Sequence, residues 1–578
     1  PRPAIKYPPP QTSITRPLAI APLPPPPLAV NHSPPPPSFP PASILALPTN
    51  PITPPLAIGL DKFVSSQEHT YFTTFCTQTS AQLSGVIEDG LWCRLVLQAC
   101  ETELPIRYTV FAVGALTCPS PREREKDKEG ELAHKRGETK HRTFASDAYQ
   151  KAVSHLRLSS PSLSTSSQSS VLSDKNDGER RGERKEKDLR AHLFSTLVLL
   201  NFALLTNSTS SISSLPHAGV KMIQEFFLLS RHSPSSSPLT STSHQISNRL
   251  VGEDELIHAF RELEMHSLTY TSTRPKSLDI HQTRDLEFDT MSINSMPREF
   301  STLQDARAYL DLIVRRGLQW VASLEQDPGR WKESNPLNLG PFPPSHVPWE
   351  GDEQTIAGWR LVLAEFEKWD LSFQPLWNLA RTESGQDIRL AATGLKLHHL
   401  SAYLSKITVC GGRSVYYGRY DCECEQIVTW AQYILSQSQL QTPSFFASYQ
   451  NLGKESKEEL NYDIQVITPL ALTTHTFRNR LLRRQALTLL YTSKRKEGIW
   501  DPSIMCKALQ WLCEIEEKGL GPPEESGVIY VPENRVVRNV EMVQDKERRE
   551  TRVSCEQPLR YGSQETVRRS CVIPWDAV

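Results

Sequence analysis

The chain has 578 residues, and its 64 Lys and Arg stand against 65 Asp and Glu, a formal net charge of −1 at pH 7. So even a balance excludes a global field for nucleic acid or anionic lipid, and any such affinity must come from a local patch. Eleven cysteines spread over this length read as reduced intracellular thiols, not as the disulfide framework of a small secreted domain.

Residues 1–60 hold 21 of the 45 prolines, including PLPPPPL (22–28) and SPPPPSFP (33–40). Proline removes backbone donors and favours polyproline II, so this stretch reads as a disordered linker. PLPPPPL is also a candidate docking peptide for an aromatic groove. The chain opens on Pro1 rather than Met, which fits a fragment with sequence in front.

From residue 61 the pattern turns apolar and helical. SQEHTYFTTFCTQTSAQL and EDGLWCRLVLQAC read as two helices, and Pro105 suits the first turn of a third, PIRYTVFAVGALT. DAYQKAVSHLRL and LRAHLFSTLVLLNFALL follow, the latter too short in its apolar run to span a bilayer. AGVKMIQEFFLL, GEDELIHAFRELEMHS, TLQDARAYLDLIVRRGLQWVASL, TIAGWRLVLAEFEKW and DIRLAATGLKLHHLSAYL continue the series. CEQIVTWAQYIL, VITPLALTTHTFRNRLLRRQALTLL and PSIMCKALQWLCEIEEK complete it, and GVIYVPENRVVRNVEMV is the one clear extended pattern. The expected fold is all-α: a large irregular helical domain over 61–545 and a short extended tail over 546–578. Charged or Ser-rich segments at about 119–142, 159–190, 231–250 and 271–296 bury too little apolar surface to offset chain entropy and read as disordered insertions.

Two cysteine pairs, Cys93/Cys100 and Cys506/Cys513, share the C-x6-C spacing of a zinc cluster. On a helix, seven residues advance about 10.5 Å and nearly two turns, so each pair shares a face but cannot reach one metal. Core packing is the expected role. Cys422 and Cys424 (CEC) are the one close pair, with a loop position and a metal role open to them. Of the adjacent His398 and His399, one is expected inside and one outside. RNRLLRRQ (478–485) is the best basic patch. Leu482, Ala486, Leu489 and Leu490 define its buried stripe, which leaves the arginines on the flanks, solvated, ion-paired or open to nucleic acid. No nucleophile elbow, phosphate loop, two-His metal motif or EF-hand loop is present, so nothing favours an enzyme.

Several segments together resemble the regulatory half of fungal binuclear zinc-cluster transcription factors. In 71–116, W-x-R-L-V-L-Q (Trp92, Arg94, Leu95 to Gln98) and the I-R…G-A-L helix (Ile106, Arg107, Gly114 to Leu116) carry it. AYQKAVSHLR (148–157), LPHAGVKMI (215–223) and PREFSTLQDARAYLD (297–311) are similar to later elements. RRQALTLLYTSKRKEGIWD (483–501), with Arg484, Glu497, Gly498, Trp500 and Asp501, resembles a closing one, as do CEIEEKG (513–519) and VPENRVVRNVEM (531–542). The resemblance covers most of residues 68–545. It implies a nuclear, non-enzymatic domain controlling transcription through co-regulators or effectors, with a homodimer possible and no membrane. DNA reading and zinc would belong to an upstream C-x2-C-x6-C cluster, and no such cysteines precede Cys76. A cluster-free helical interaction protein or co-regulator is the alternative.

Overall fold

The computed structural model describes residues 63–84, 91–118, 128–159, 175–206, 293–325, 353–410, 417–438, 459–460, 466–493, 495–497, 501–545, 548–559 and 565–575, with Leu215, Ala218, Gly219 and Met222. Helix accounts for 74% of them. The proline-rich segment, the insertion at 231–250 and the helices expected between 220 and 270 lie outside the described residues.

The first helices form one packed group. Helix α1 (Ser66–Thr74) continues through a π turn (Phe75–Thr79) into α2 (Ser80–Ser84), and a second π turn (Leu91–Leu95) leads into α3 (Val96–Thr102). Helix α4 (Leu104–Thr117) carries Pro105 in its first turn, where a missing donor leaves no bond unmade. Two long helices, α5 (Lys128–Ser159) and α6 (Lys175–Leu205), pack beside it. Phe75, Leu91, Trp92, Val96, Ile106, Val110, Phe111, Leu197 and Val198 make the core between them.

Gly114 sets the closest approach in this group. A Cβ placed there would stand 2.1 Å from the carbonyl oxygen of Tyr71, so α1 and α4 touch backbone to backbone. Gly114→Ala must push the helices apart, and a loss of roughly 1–3 kcal/mol or more is expected. The urea midpoint of tryptophan fluorescence measures it, and an unchanged midpoint would show that the contact can relax.

Helices α5 and α6 reach into two of the expected insertions. They begin at Lys128 and Lys175, while 119–127 and 160–174 lie outside the described residues. Their inner ends are held by packing, at Ala145, Ala148 and Ala152 in α5 and at Leu193 to Leu200 in α6. From a fixed end a helix propagates cheaply through the Glu, Lys and Arg that make up most of both segments, in spite of two glycines in each.

The middle group comprises α7 (Leu303–Glu325), α8 (Glu353–Ala380) and α9 (Arg389–Cys410). Thr302 and Asp305 exchange hydrogen bonds at the start of α7, a capping arrangement that fixes its first turn. Phe300, Leu310, Ile313, Phe366, Trp369, Phe373 and Leu395 fill its core.

The last group gathers α9, α10 (Asp421–Ser438), α11 (Ile467–His475), α12 (Arg480–Thr492) and α13 (Pro502–Glu517) around one core, followed by the single turn α14 (Pro523–Ser526). A two-residue parallel pair joins β1 (Glu459–Leu460) to β2 (Arg495–Lys496). The expected extended tail forms a small packed sheet. Strands β3 (Arg538–Asp545), β4 (Glu550–Pro558) and β5 (Thr566–Pro574) pair antiparallel in that order. Val540, Val553, Cys555 and Ile573 enter the helical core, so the domain runs past residue 545. No helix among the described residues is long and apolar enough to cross a membrane.

Candidate functional site

The densest chemistry lies where α12 meets α13. Asn479 caps α12 by accepting hydrogen bonds from the amides of Leu481 and Leu482. Arg480 and Arg483 then extend the stripe of Ala486 and Leu490 toward the helix start, at spacings of three and four. Both guanidinium groups, and that of Arg478 just before the helix, are 1% exposed. They are ion-paired, one of the roles expected for them, but buried and not on the flanks, because α13 and the chain at 528–531 cover this side.

Two acids on α13 hold them. Glu516, itself 1% exposed, receives Arg478 Nη1 at 3.1 Å and Arg483 Nη2 at 2.6 Å. It also accepts the amide of Val537 at 2.9 Å, which ties the approach to β3 into the same carboxylate. Arg480 Nε meets Glu517 Oε2 at 2.8 Å, and its other nitrogens donate to the carbonyls of Val528 and Gly521. Arg483 Nε donates to the Phe477 carbonyl. Charges removed from water to this depth persist only when paired and hydrogen-bonded, and these are. Burial, with Arg478 and Arg483 alongside, drives the neighbouring His475 imidazole well below its ordinary range, so it stays neutral.

Several motif residues sit at structural joints. Arg107 is buried and donates from Nε to the Cys100 carbonyl (2.8 Å) and from Nη2 to that of Glu101 (2.9 Å), closing the end of α3. Glu497, 1% exposed, accepts the amides of Val466 and Ile467 at 2.8–2.9 Å and so satisfies the start of α11. Asp501 caps α13 through the amides of Ser503 and Ile504. Trp92 is buried, Leu95 is half-buried, and Arg94 and Gln98 are exposed. Arg484 is 44% exposed and bridges Glu517 and Glu524. Gly498 and Trp500 lie outside the described residues. Trp92 belongs to the core of the first group, while Glu497 and Asp501 serve helices of the last.

The cysteines depart from expectation in two places. Cys100 is buried but Cys93 is exposed, although their spacing puts them on one helical face. Cys93 lies in the π turn, which takes more residues per turn than an α-helix and shifts the phase of everything before it. Cys422 and Cys424 lie in the first turn of α10 and not in a loop; two positions apart on a helix, they diverge, Cys422 outward and Cys424 inward. Cys506 and Cys513 are both core, as expected. Burial pushes the thiols of Cys100, Cys424 and Cys506 up, and those of Cys76 and Cys513 to about 12, which makes them poor nucleophiles. Among the described residues, no three His, Cys, Asp or Glu side chains are arranged to hold a metal ion.

In the middle group His399 is buried and His398 half-buried. The His399 ring stacks on Trp369 at 4.8 Å, and its Nε2–H donates to the Phe366 carbonyl at 3.0 Å. Lys406, on the same helix, is buried with its stem against Gly317, and burial lowers its amine to about 8. Sequence reasoning missed the Arg–Glu network, although Arg480 and Arg483 fall in register with the apolar stripe it identified. Comparison with known protein families, curated proteins and solved structures returns no match.

Proposed function

We propose that this chain is the regulatory half of a fungal RNA polymerase II transcription factor, working in the nucleus through partner or effector contacts. In this reading DNA is read by a binuclear zinc cluster outside these residues. The observation that carries it is the placement of Arg107, Gly114, Glu497 and Asp501, residues of the family-like segments. Each seals a helix end or a helix contact of one helical scaffold. Residues with such roles are what a shared fold requires, so their resemblance supports a common architecture and not a chance run of similar letters.

A reporter assay tests the regulatory role. Fused to an unrelated DNA-binding module in a fungal host, the chain is expected to raise or lower transcription from that module's site. No change in the reporter, with the fusion expressed and nuclear, would remove the reading. The reading frame ahead of Pro1 then separates two forms of it: six cysteines at cluster spacing mark a transcription factor, and a start codon without them marks a co-regulator.

A further inference from the structure

The C-terminal sheet has two unlike edges. Strand β3 is irregular: its register with β4 shifts between Arg538 and Glu541, and Asn539 takes a left-handed conformation at φ 50°. A bulge of this kind bends an edge and discourages further pairing. Strand β5 has no such feature. Its nine residues pair with β4 in unbroken register, from Thr566 opposite Pro558 to Pro574 opposite Glu550. On the other side its backbone makes no hydrogen bond among the described residues.

Charged side chains often guard such an edge, and β5 has two, Arg568 and Arg569. Both lean back across the sheet. Arg568 Nη2 reaches Glu541 on β3, beyond β4, at 2.9 Å and Ser554 on β4 at 3.3 Å; Arg569 Nε donates to Gln557 on β4 at 2.9 Å. Neither is directed over the open side. Val567 and Val572 remain 36% and 49% exposed along it.

The sequence of β5 suits itself as a partner. Antiparallel pairing about a two-fold axis at Ser570 sets Val567 opposite Ile573, Arg568 opposite Val572 and Arg569 opposite Cys571. Each arginine then faces an uncharged residue and keeps its partner within its own sheet, so no like charges stand opposite one another. Such an isologous contact closes on itself and builds no fibre. We propose that β5 is the docking edge for a second copy of this chain, joining two three-stranded sheets into one continuous sheet. The proposal does not rest on the transcriptional reading, which a monomer would leave standing.

Sedimentation equilibrium of the full chain over micromolar concentrations tests it. The mass should climb from 65.3 kDa toward twice that value. Val567→Lys with Val572→Lys puts lysine opposite Arg568 twice across the axis and should weaken association roughly tenfold. Directly opposed residues of an antiparallel pair have Cα atoms about 4.5–5.5 Å apart, within disulfide range. Ser570→Cys, in a Cys571→Ser background, should therefore cross-link two chains under mild oxidation, and Thr566→Cys should not. A mass fixed at 65.3 kDa, an association constant indifferent to the two lysines, or a dimer that fails to cross-link through Ser570→Cys overturns the proposal.

Discussion

Glu516→Ala is expected to cost about 3–5 kcal/mol of stability, the range for removing one partner from a buried ion pair. The carboxylate holds Arg478, Arg483 and the Val537 amide, all beyond the reach of solvent. Without it, two guanidinium groups stay buried with part of their charge uncompensated, and that residual cost outweighs any packing change. Glu516→Gln keeps the shape and removes the charge, so it should be nearly as damaging. Arg484→Ala provides the contrast, since Arg484 is 44% exposed and its bridges are weak, worth about 0–1 kcal/mol. Chemical denaturation of the three variants orders them. A Glu516→Ala chain as stable as Arg484→Ala would mean that water reaches the network. Replacing Arg478, Arg483 and Glu516 together with apolar residues should restore much of the loss, because the desolvation cost goes with the charges.

Acid should destabilise the domain well before its carboxylates are protonated. Burial pushes the His399 imidazole from 6.5 down to about 4, outweighing the upward pull of Asp370, whose carboxylate lies 3.9 Å from Nδ1. Between those values the unfolded chain binds a proton that the folded chain refuses, so stability falls as pH drops. The contribution is complete above about pH 6.5 and lost by about pH 4, and the shift corresponds to roughly 3 kcal/mol. His475, depressed by burial and two arginines, acts in the same direction. Unfolding free energy measured from pH 7 to pH 4.5 should therefore slope downward, and His399→Phe, which keeps the stack on Trp369, should flatten it. Equal slopes for the two chains would place the acid sensitivity elsewhere.

Helices were the most legible part of this sequence. Apolar periodicity places most of those the structure describes, and Pro105 marks a helix start by local chemistry alone, whereas the one helix expected over 466–490 is two, broken before the cap at Asn479. Three features resisted for identifiable reasons. Residues 128–142 and 175–190 look solvated because their composition is charged, yet they extend helices whose other ends are buried. The phase slip that exposes Cys93 comes from a π turn, which no residue pattern in LWCRL announces. The burial of three arginines depends on acids more than thirty positions away, a pairing that spacing along one helix cannot reveal. The β-sheet was more accessible than the expectation allowed. Thr551, Val553 and Cys555 turn inward at alternate positions, a period-2 signal inside the segment expected only as a tail.

The distance in sequence between Arg478 and Glu516, 38 residues, also bears on kinetics. A pair this remote gains little until α12, α13 and the β3 approach have all arrived, and desolvating the ions early would raise the barrier. The network should therefore form after the folding transition state. Interactions that form there slow unfolding more than they speed folding. Its main effect would be on lifetime, keeping the native domain from opening on the timescale at which proteases sample it.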